Sequence, residues 1–145
     1  MRILLLFVAL VCHGAVFSNL KQDIYLFDPT TTTMKGVLHK KVFPGAPNYE
    51  SIKNGDKAEK AWLLTLPKPI TVFYDGKDGD PTSVNETESG VRVIQLVTGK
   101  DRDFKLLRRS LGREISCTGT LFHQHTGHHH ARILMDLKVC KTLDQ

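Results

Sequence analysis

Alternation of apolar and polar residues predicts a chain built mainly of short β-strands. The strand-like segments are rich in β-branched and aromatic side chains, and clusters of Gly, Pro, Asn and Asp separate them. Five strands are predicted, at residues 33–43, 61–74 (in two parts, 61–66 and 70–74), 91–97, 113–122 and 131–140, with a short lead-in strand near residues 24–27. The prolines of Pro67-Lys68-Pro69 are expected to interrupt the second strand, because proline cannot donate a backbone hydrogen bond.

A single helix is predicted between the third and fourth strands, over residues 100–112. Asp101 is the N-cap candidate, and Leu107 and Leu111 lie at helical spacing on an apolar stripe. Gly112 stands where a residue that ends a helix is commonly found.

The predicted order of three strands, one helix and two strands is that of an OB-fold. The sequence therefore predicts a mostly β protein, an OB-fold-like five-stranded Greek-key barrel with one short helix between strands 3 and 4. In that fold, the loop between strands 1 and 2 and the loop between strands 4 and 5 flank the ligand face. Here those loops are residues 44–60 and a histidine-rich turn at residues 123–132, which we expect to be neighbours. The alternative is a generic α+β sheet with one helix.

The N-terminus has the order of a cleaved secretory signal. One arginine precedes the apolar run of residues 3–11, which is too short to cross a bilayer, and small residues follow it. Cleavage after Ser18 would leave residues 19–145 as a single domain with no stable membrane anchor, in the periplasm or secreted. A lipoprotein anchored at Cys12 is the alternative, although bulky residues precede that cysteine.

The charge of the chain changes this picture little. The formal net charge is +5, and the basic residues are scattered rather than gathered into a stripe, which argues against nucleic acid as a partner. The expected partner is an unknown protein or small ligand in the cell envelope.

Removal of the signal would leave two cysteines, Cys117 and Cys140, and an even pair in an exported chain predicts a disulfide. The apolar face of the last strand is formed by Ile133, Met135, Leu137 and Val139. Cys140 lies on the opposite face, and a simple hairpin that pairs the cysteines would set Leu121 against Asp136. A bulge near Gly119 would reconcile the two requirements. The alternative is two separate small buried residues.

The turn between the last two strands contains five of the seven histidines of the chain. The histidines of the turn are His123, His125, His128, His129 and His130. On a strand, residues two apart face one direction, about 6 to 7 Å from each other. His123 with His125, and His128 with His130, therefore form two pairs that could share a metal ion, with zinc or copper as the candidates.

The run from Gly119 to His130, "GTLFHQHTGHHH", resembles the hallmark of a bacterial family, the domain of unknown function 4431. The segments "FPGAPNYESI" and "AWLLTLPKPITV" extend the resemblance upstream. The clear match covers about the last 35 residues, and a looser match covers most of residues 19–145. The resemblance implies exported bacterial proteins with an OB-like fold and no established activity.

Two hypotheses of function remain, and neither is enzymatic, because no nucleophile pattern or acid/base partner stands out. The first is a metal or ligand site built from the five histidines and backed by Tyr49 and Glu50 in the opposing loop. The second is a protein-contact module without metal, such as an inhibitor or immunity-type partner of an envelope or secreted protein. The histidines would then form a polar, hydrogen-bonded turn. A third interpretation of the cluster is a protonation switch that charges near pH 6.

Overall fold

The computed structural model describes residues 22–77 and 83–143, so the predicted signal at residues 1–18 lies outside the described residues. The strands are β1 (Asp23–Leu26), β2 (Thr31–Pro44), β3 (Ala58–Phe73), β4 (Glu88–Val97), β5 (Glu114–His123) and β6 (Ile133–Thr142). One helix, α1 (Asp101–Arg109), connects β4 to β5, and a short 3-10 turn, Ile52–Asn54, lies between β2 and β3. Within this part of the chain, no helix has the length and apolar character needed to cross a membrane.

Strands β2 to β6 pair in a ring. The order is β3-β2-β5-β6-β4, and β4 pairs again with β3 to complete the cycle. Neighbouring strands are antiparallel, except that β4 and β6 run parallel. The lead-in strand β1 joins the sheet beside the end of β3, parallel to it. The prediction of a mostly β protein with one helix is therefore confirmed, but the sheet has six strands, because β1 also pairs.

The expected interruption at Pro67-Lys68-Pro69 is wrong, because β3 continues through this segment. The register against β4 shifts between Thr65 and Ile70, and the prolines lie within that irregular stretch. Pairing with β2 ends at Thr65, and pairing with β1 begins at Ile70. The prolines are tolerated because they occupy the interval in which β3 exchanges one neighbour for another and needs few backbone donors.

The core fills the inside of the ring. Its fully buried apolar side chains are Leu38, Leu64, Val72, Ile94, Leu107, Ile115, Cys117, Leu121, Ile133 and Met135. Every ring strand contributes to this set, and Leu107 brings helix α1 into it. Trp62 is also a core residue rather than an exposed stacking surface. The core therefore ties the ends of β5 and β6, between which the histidines lie, to the rest of the molecule.

Helix α1 begins and ends differently from the prediction. Its N-cap is Lys100, not Asp101, and the side chain of Lys100 makes no capping hydrogen bond. The helix ends at Arg109, so Leu111 falls outside the helical spacing and its side chain is exposed. Thr98 accepts a hydrogen bond from the Lys100 N–H and donates one to the buried carboxylate of Asp103.

The predicted disulfide between Cys117 and Cys140 is present. The bulge that this pairing requires is also present. Thr118 pairs with Val139 and Gly119 pairs with Leu137, so β6 contains one extra residue, Lys138, at this point. The insertion turns Cys140 inward and Val139 outward, so Val139 is exposed and its predicted place on the core face is wrong.

Candidate functional site

The histidine turn connects β5 to β6 and is closed by backbone hydrogen bonds. The Gln124 N–H donates to the Arg132 carbonyl at its base, and the His129 N–H donates to the Thr126 carbonyl at its tip. His123 is the last residue of β5. The histidines thus begin on a rigid strand and continue into a hydrogen-bonded turn.

The loop between β2 and β3 is organised by the buried carboxylate of Asp56. This carboxylate accepts hydrogen bonds from the N–H groups of Asn48, Glu50 and Ser51, at 2.9, 2.8 and 2.8 Å. Tyr49, between Asn48 and Glu50, adopts the left-handed conformation, with φ of 61°. A bulky residue rarely adopts that conformation, so the bonds to Asp56 hold Tyr49 in a strained position.

Replacing Asp56 with asparagine should lower the melting temperature by several degrees, because an amide nitrogen would face N–H donors. The N–H groups of Ser51 and Asn48 hold the pKa of Asp56 below its ordinary value. Its stabilising contribution is therefore complete above the ordinary pKa of an aspartate and is lost as the pH falls through the lowered value. Melting curves over an acidic pH series should show the gap between the two proteins closing. Glu50→Gln, an exposed change in the same loop, is the control, and a gap that stays constant at every pH would contradict this role.

The two loops meet, as the sequence predicts. The Tyr49 hydroxyl lies 3.2 Å from Nε2 of His128, and the two rings make an edge contact at 5.4 Å between centroids. A Cβ atom added to Gly127 would come within 2.8 Å of the Tyr49 ring. Glu50 contributes its backbone N–H to Asp56, and its side chain makes none of the contacts that the structure describes with the histidines.

His128 and His130 share one carboxylate, that of Glu59 at the start of β3. Nδ1 of His128 lies 2.6 Å from Glu59 Oε1, and Nε2 of His130 lies 3.4 Å from Glu59 Oε2. The His130 ring stacks on Phe43, with centroids 4.2 Å apart and planes 3° from parallel. Gln95 binds both histidines through the backbone, since its amide donates to the His128 carbonyl and accepts from the His130 N–H. We call Glu59, His128 and His130 the Glu59 cluster.

His125 and His129 form a separate pair. The His125 N–H donates to Nδ1 of His129 at 3.0 Å, and the rings meet edge to face with centroids 4.6 Å apart. Both rings also contact Phe122. Burial, followed by the neighbouring histidines 125, 128 and 130, lowers the pKa of His129. This pair is held by packing and by an imidazole nitrogen that serves as an acceptor.

His123 faces two carboxylates instead of another histidine. Its Nε2 lies 3.0 Å from Oε1 of Glu88 and 3.6 Å from Oε1 of Glu86. The other oxygen of Glu88 accepts a hydrogen bond from Arg132 at 2.5 Å. On the far side of the ring, Nδ1 lies 3.1 Å from the Gln124 carbonyl oxygen, to which it can only donate. The donor atoms of Glu86, Glu88 and His123 all lie within 4.8 Å of one another, and this Glu86–Glu88–His123 group could hold a metal ion.

The four predicted metal ligands thus fall into three neighbourhoods. His123 belongs to the Glu86–Glu88–His123 group, His128 and His130 to the Glu59 cluster, and His125 to the pair with His129. Nδ1 of His125 faces the backbone carbonyl of His123, whereas the ring of His123 faces the carboxylates of Glu86 and Glu88. The two rings therefore have different partners. The sequence interpretation missed the carboxylates that face the histidines. A signal existed in two acids spaced two apart at the start of β4, since Glu86 precedes the strand and Glu88 is its first residue.

Comparison with known proteins finds a family model that matches the C-terminal part of the chain. A family model described as a domain of unknown function (DUF4431) matches residues 93–141 and confirms the family resemblance. No curated protein and no solved structure matches the chain. The matched segment includes the disulfide and the histidine turn, whereas the acidic residues Glu59, Glu86 and Glu88 precede it.

Proposed function

We propose that this chain, which carries a domain of unknown function (DUF4431) at residues 93–141, is an exported binding protein. It holds a divalent transition metal ion, zinc or copper, between Glu86, Glu88 and His123. It is not an enzyme, and its biological partner is a protein or small ligand of the cell envelope rather than a nucleic acid.

The observation that carries the proposal is the orientation of the His123 ring. Because Nδ1 donates to the Gln124 carbonyl, a neutral ring directs the lone pair of Nε2 at Glu88, whose carboxylate is itself an acceptor. Two acceptors repel each other unless a proton or a cation lies between them. Ligating histidines commonly donate their other N–H to a carbonyl in this way, which fixes the ring for metal binding.

The spacing and the chemistry of the donors support a metal ion. Ligand atoms about 2.0–2.1 Å from zinc lie roughly 3.3 Å apart at tetrahedral angles. The 3.6 Å from Nε2 of His123 to Glu86 lies close to that value. The 3.0 Å to Glu88 is a hydrogen-bond distance, which a bound metal ion would lengthen by about 0.3 Å. One imidazole and two carboxylates suit zinc or copper, and three protein ligands leave a further position open. Arg132 holds the second oxygen of Glu88, which orients that carboxylate.

The connectivity of the ring supports an OB-like Greek-key barrel. With β1 set aside, five strands follow one another around a cycle, one helix separates the third from the fourth, and the parallel pair joins the third to the fifth. In such a barrel the loops on either side of the ligand face are the loop between β2 and β3, which contains Asp56, and the histidine turn. The metal would then lie at the rim, next to a surface on which OB-folds bind their partners.

Export is supported by the signal-like residues 1–18 and by the disulfide, since disulfides persist in oxidising compartments such as the periplasm. The scattered basic residues argue against a nucleic-acid partner.

Adding zinc or copper at micromolar concentration to metal-free protein should raise its melting temperature by several degrees. A ligand present at 100 times its Kd stabilises the folded state by about 2.7 kcal/mol. His123→Ala and Glu88→Gln should each show a smaller shift than the wild type, because each removes a donor atom of this site. The matched control is His39→Ala, which removes an exposed histidine of β2 and should leave the shift unchanged.

Two results would overturn the metal proposal. One is the absence of any shift in the wild-type protein, and the other is a shift in both His123→Ala and Glu88→Gln that is as large as that of the wild type. A pull-down from envelope extract with and without a chelator would then examine the protein-contact hypothesis directly. A partner captured equally in both conditions would favour an inhibitor or immunity-type module that needs no metal.

A further inference from the structure

We propose a second metal site in the Glu59 cluster, where a divalent transition metal ion binds between Oε2 of Glu59 and Nε2 of His130. This site is independent of the Glu86–Glu88–His123 group, and it does not require that group to bind metal.

The first observation is a pair of buried atoms without hydrogen bonds. Among the residues that the structure describes, Oε2 of Glu59 and Nε2 of His130 have no hydrogen-bond partner, although both atoms are inaccessible to solvent. The His130 side chain is only 9% exposed, and the two atoms face each other at 3.4 Å. A buried polar atom without a partner costs about 1–3 kcal/mol, so two such atoms aimed at each other call for something between them.

The second observation is the distance itself. A proton shared between an imidazole and a carboxylate draws nitrogen and oxygen to about 2.7–2.9 Å. Two ligands of one zinc ion, each about 2.0–2.1 Å from the metal, lie roughly 3.3 Å apart at a tetrahedral angle. The distance of 3.4 Å between Glu59 and His130 fits a bridging metal better than a shared proton.

The third observation is that both donors are already held in place. The Phe43 ring covers the face of the His130 imidazole, and Gln95 accepts a hydrogen bond from the His130 backbone. The remaining oxygen of Glu59 lies 2.6 Å from Nδ1 of His128, an imidazole nitrogen that can donate to it. Donors fixed in this way bind a metal without first paying to order long side chains.

The site supplies two protein ligands. Of the described residues, only the Glu86–Glu88–His123 group brings three donor atoms within 4.8 Å, so the Glu59 cluster provides a carboxylate and one imidazole. Water or an external ligand must complete the shell. His130 also lines an open groove together with Lys41, Arg92 and Arg132, so the proposed site lies beside this groove. Arg132 is paired with Glu88, and the remaining cations of the groove, Lys41 and Arg92, favour an anionic ligand, such as a carboxylate.

Zinc stoichiometry, measured by calorimetric titration and by elemental analysis after dialysis, tests the site. We expect two equivalents of zinc in the wild-type protein. We expect one in Glu59→Gln, one in His123→Ala and none in the variant that combines both changes. Glu50→Gln removes a neighbouring exposed carboxylate and should retain both equivalents.

Glu59→Gln is the informative variant because it should not disturb the fold. A glutamine oxygen can still accept from Nδ1 of His128, and its amide can donate to Nε2 of His130. The melting temperature of the metal-free variant should therefore equal or exceed that of the wild type. A decrease of several degrees would mean that the buried pair is a stabilising ion pair, which overturns the proposal.

The titrations separate the two sites. A single equivalent that survives Glu59→Gln and is lost in His123→Ala overturns the second site and leaves the proposed function standing. A single equivalent lost only in Glu59→Gln supports the second site and overturns the first. Absence of bound zinc in every protein overturns both.

Discussion

Replacing Gly119 with alanine should destabilise the protein by about 3 kcal/mol, the upper part of the range for forcing an extra carbon into a packed interior. A Cβ atom at this position would overlap the backbone carbonyl oxygen of Asp136 and would come within 2.7 Å of Cγ of Met135. The backbone atom belongs to the paired strand β6, so the clash cannot be relieved by rotating a side chain. The hairpin would have to separate at the bulge that sets its register.

The measurement is urea unfolding followed by circular dichroism, with the midpoint compared between variant and wild type. Gly99→Ala is the matched control, because a Cβ atom added there meets nothing within 4 Å. The control should unfold within about 0.5 kcal/mol of the wild type, as surface substitutions usually do. Equal midpoints for the two variants would show that the close approach at Gly119 carries no energetic cost.

Replacing both Cys117 and Cys140 with alanine should also cost about 3 kcal/mol. The disulfide closes a segment with a sequence separation of 23 residues, and in the chain-entropy model such a crosslink stabilises the folded state by about that amount. The bond also spans paired positions of β5 and β6, immediately beside the bulge. Its loss should free the unfolded chain and weaken the register of the hairpin that carries the histidines.

A reductant provides the internal control for this prediction. Unfolding midpoints measured with and without reductant should differ for the wild type and coincide for the double alanine variant. A wild-type midpoint that does not respond to complete reduction, verified by thiol titration, would contradict the stabilising role. Zinc binding by the reduced protein should persist while the protein is folded, because neither cysteine belongs to the Glu86–Glu88–His123 group.

Local signals predicted much of the fold. The alternation of Ile133 with Met135, together with the opposite parity of Cys140, was sufficient to require a bulge, and the bulge is present beside Gly119. Strand periodicity, by contrast, does not locate the extra residue in β6, and for this reason it predicts Val139 on the core face. The prolines of β3 also predict a break that is absent. The pattern alone does not reveal that β3 changes its neighbouring strand at these prolines.

The candidate site was predictable only in part. The density of histidines identified the turn, and the strand order placed it beside Tyr49. The carboxylate partners could not be found in the same way, because the contacts of His123 with Glu88 and of His128 with Glu59 span 35 and 69 residues of sequence. Such contacts depend on which strands lie side by side, and periodicity within one strand carries no information about that.

The separation between the histidine turn and its acids has a practical consequence for engineering. Grafting the run from Gly119 to His130 onto an unrelated hairpin would transfer the imidazoles without the counter-charges that orient them. Such a chimera should capture metal no better than an ordinary polyhistidine tag. Metal binding beyond that level is expected only in grafts that also supply equivalents of Glu59, Glu86 and Glu88.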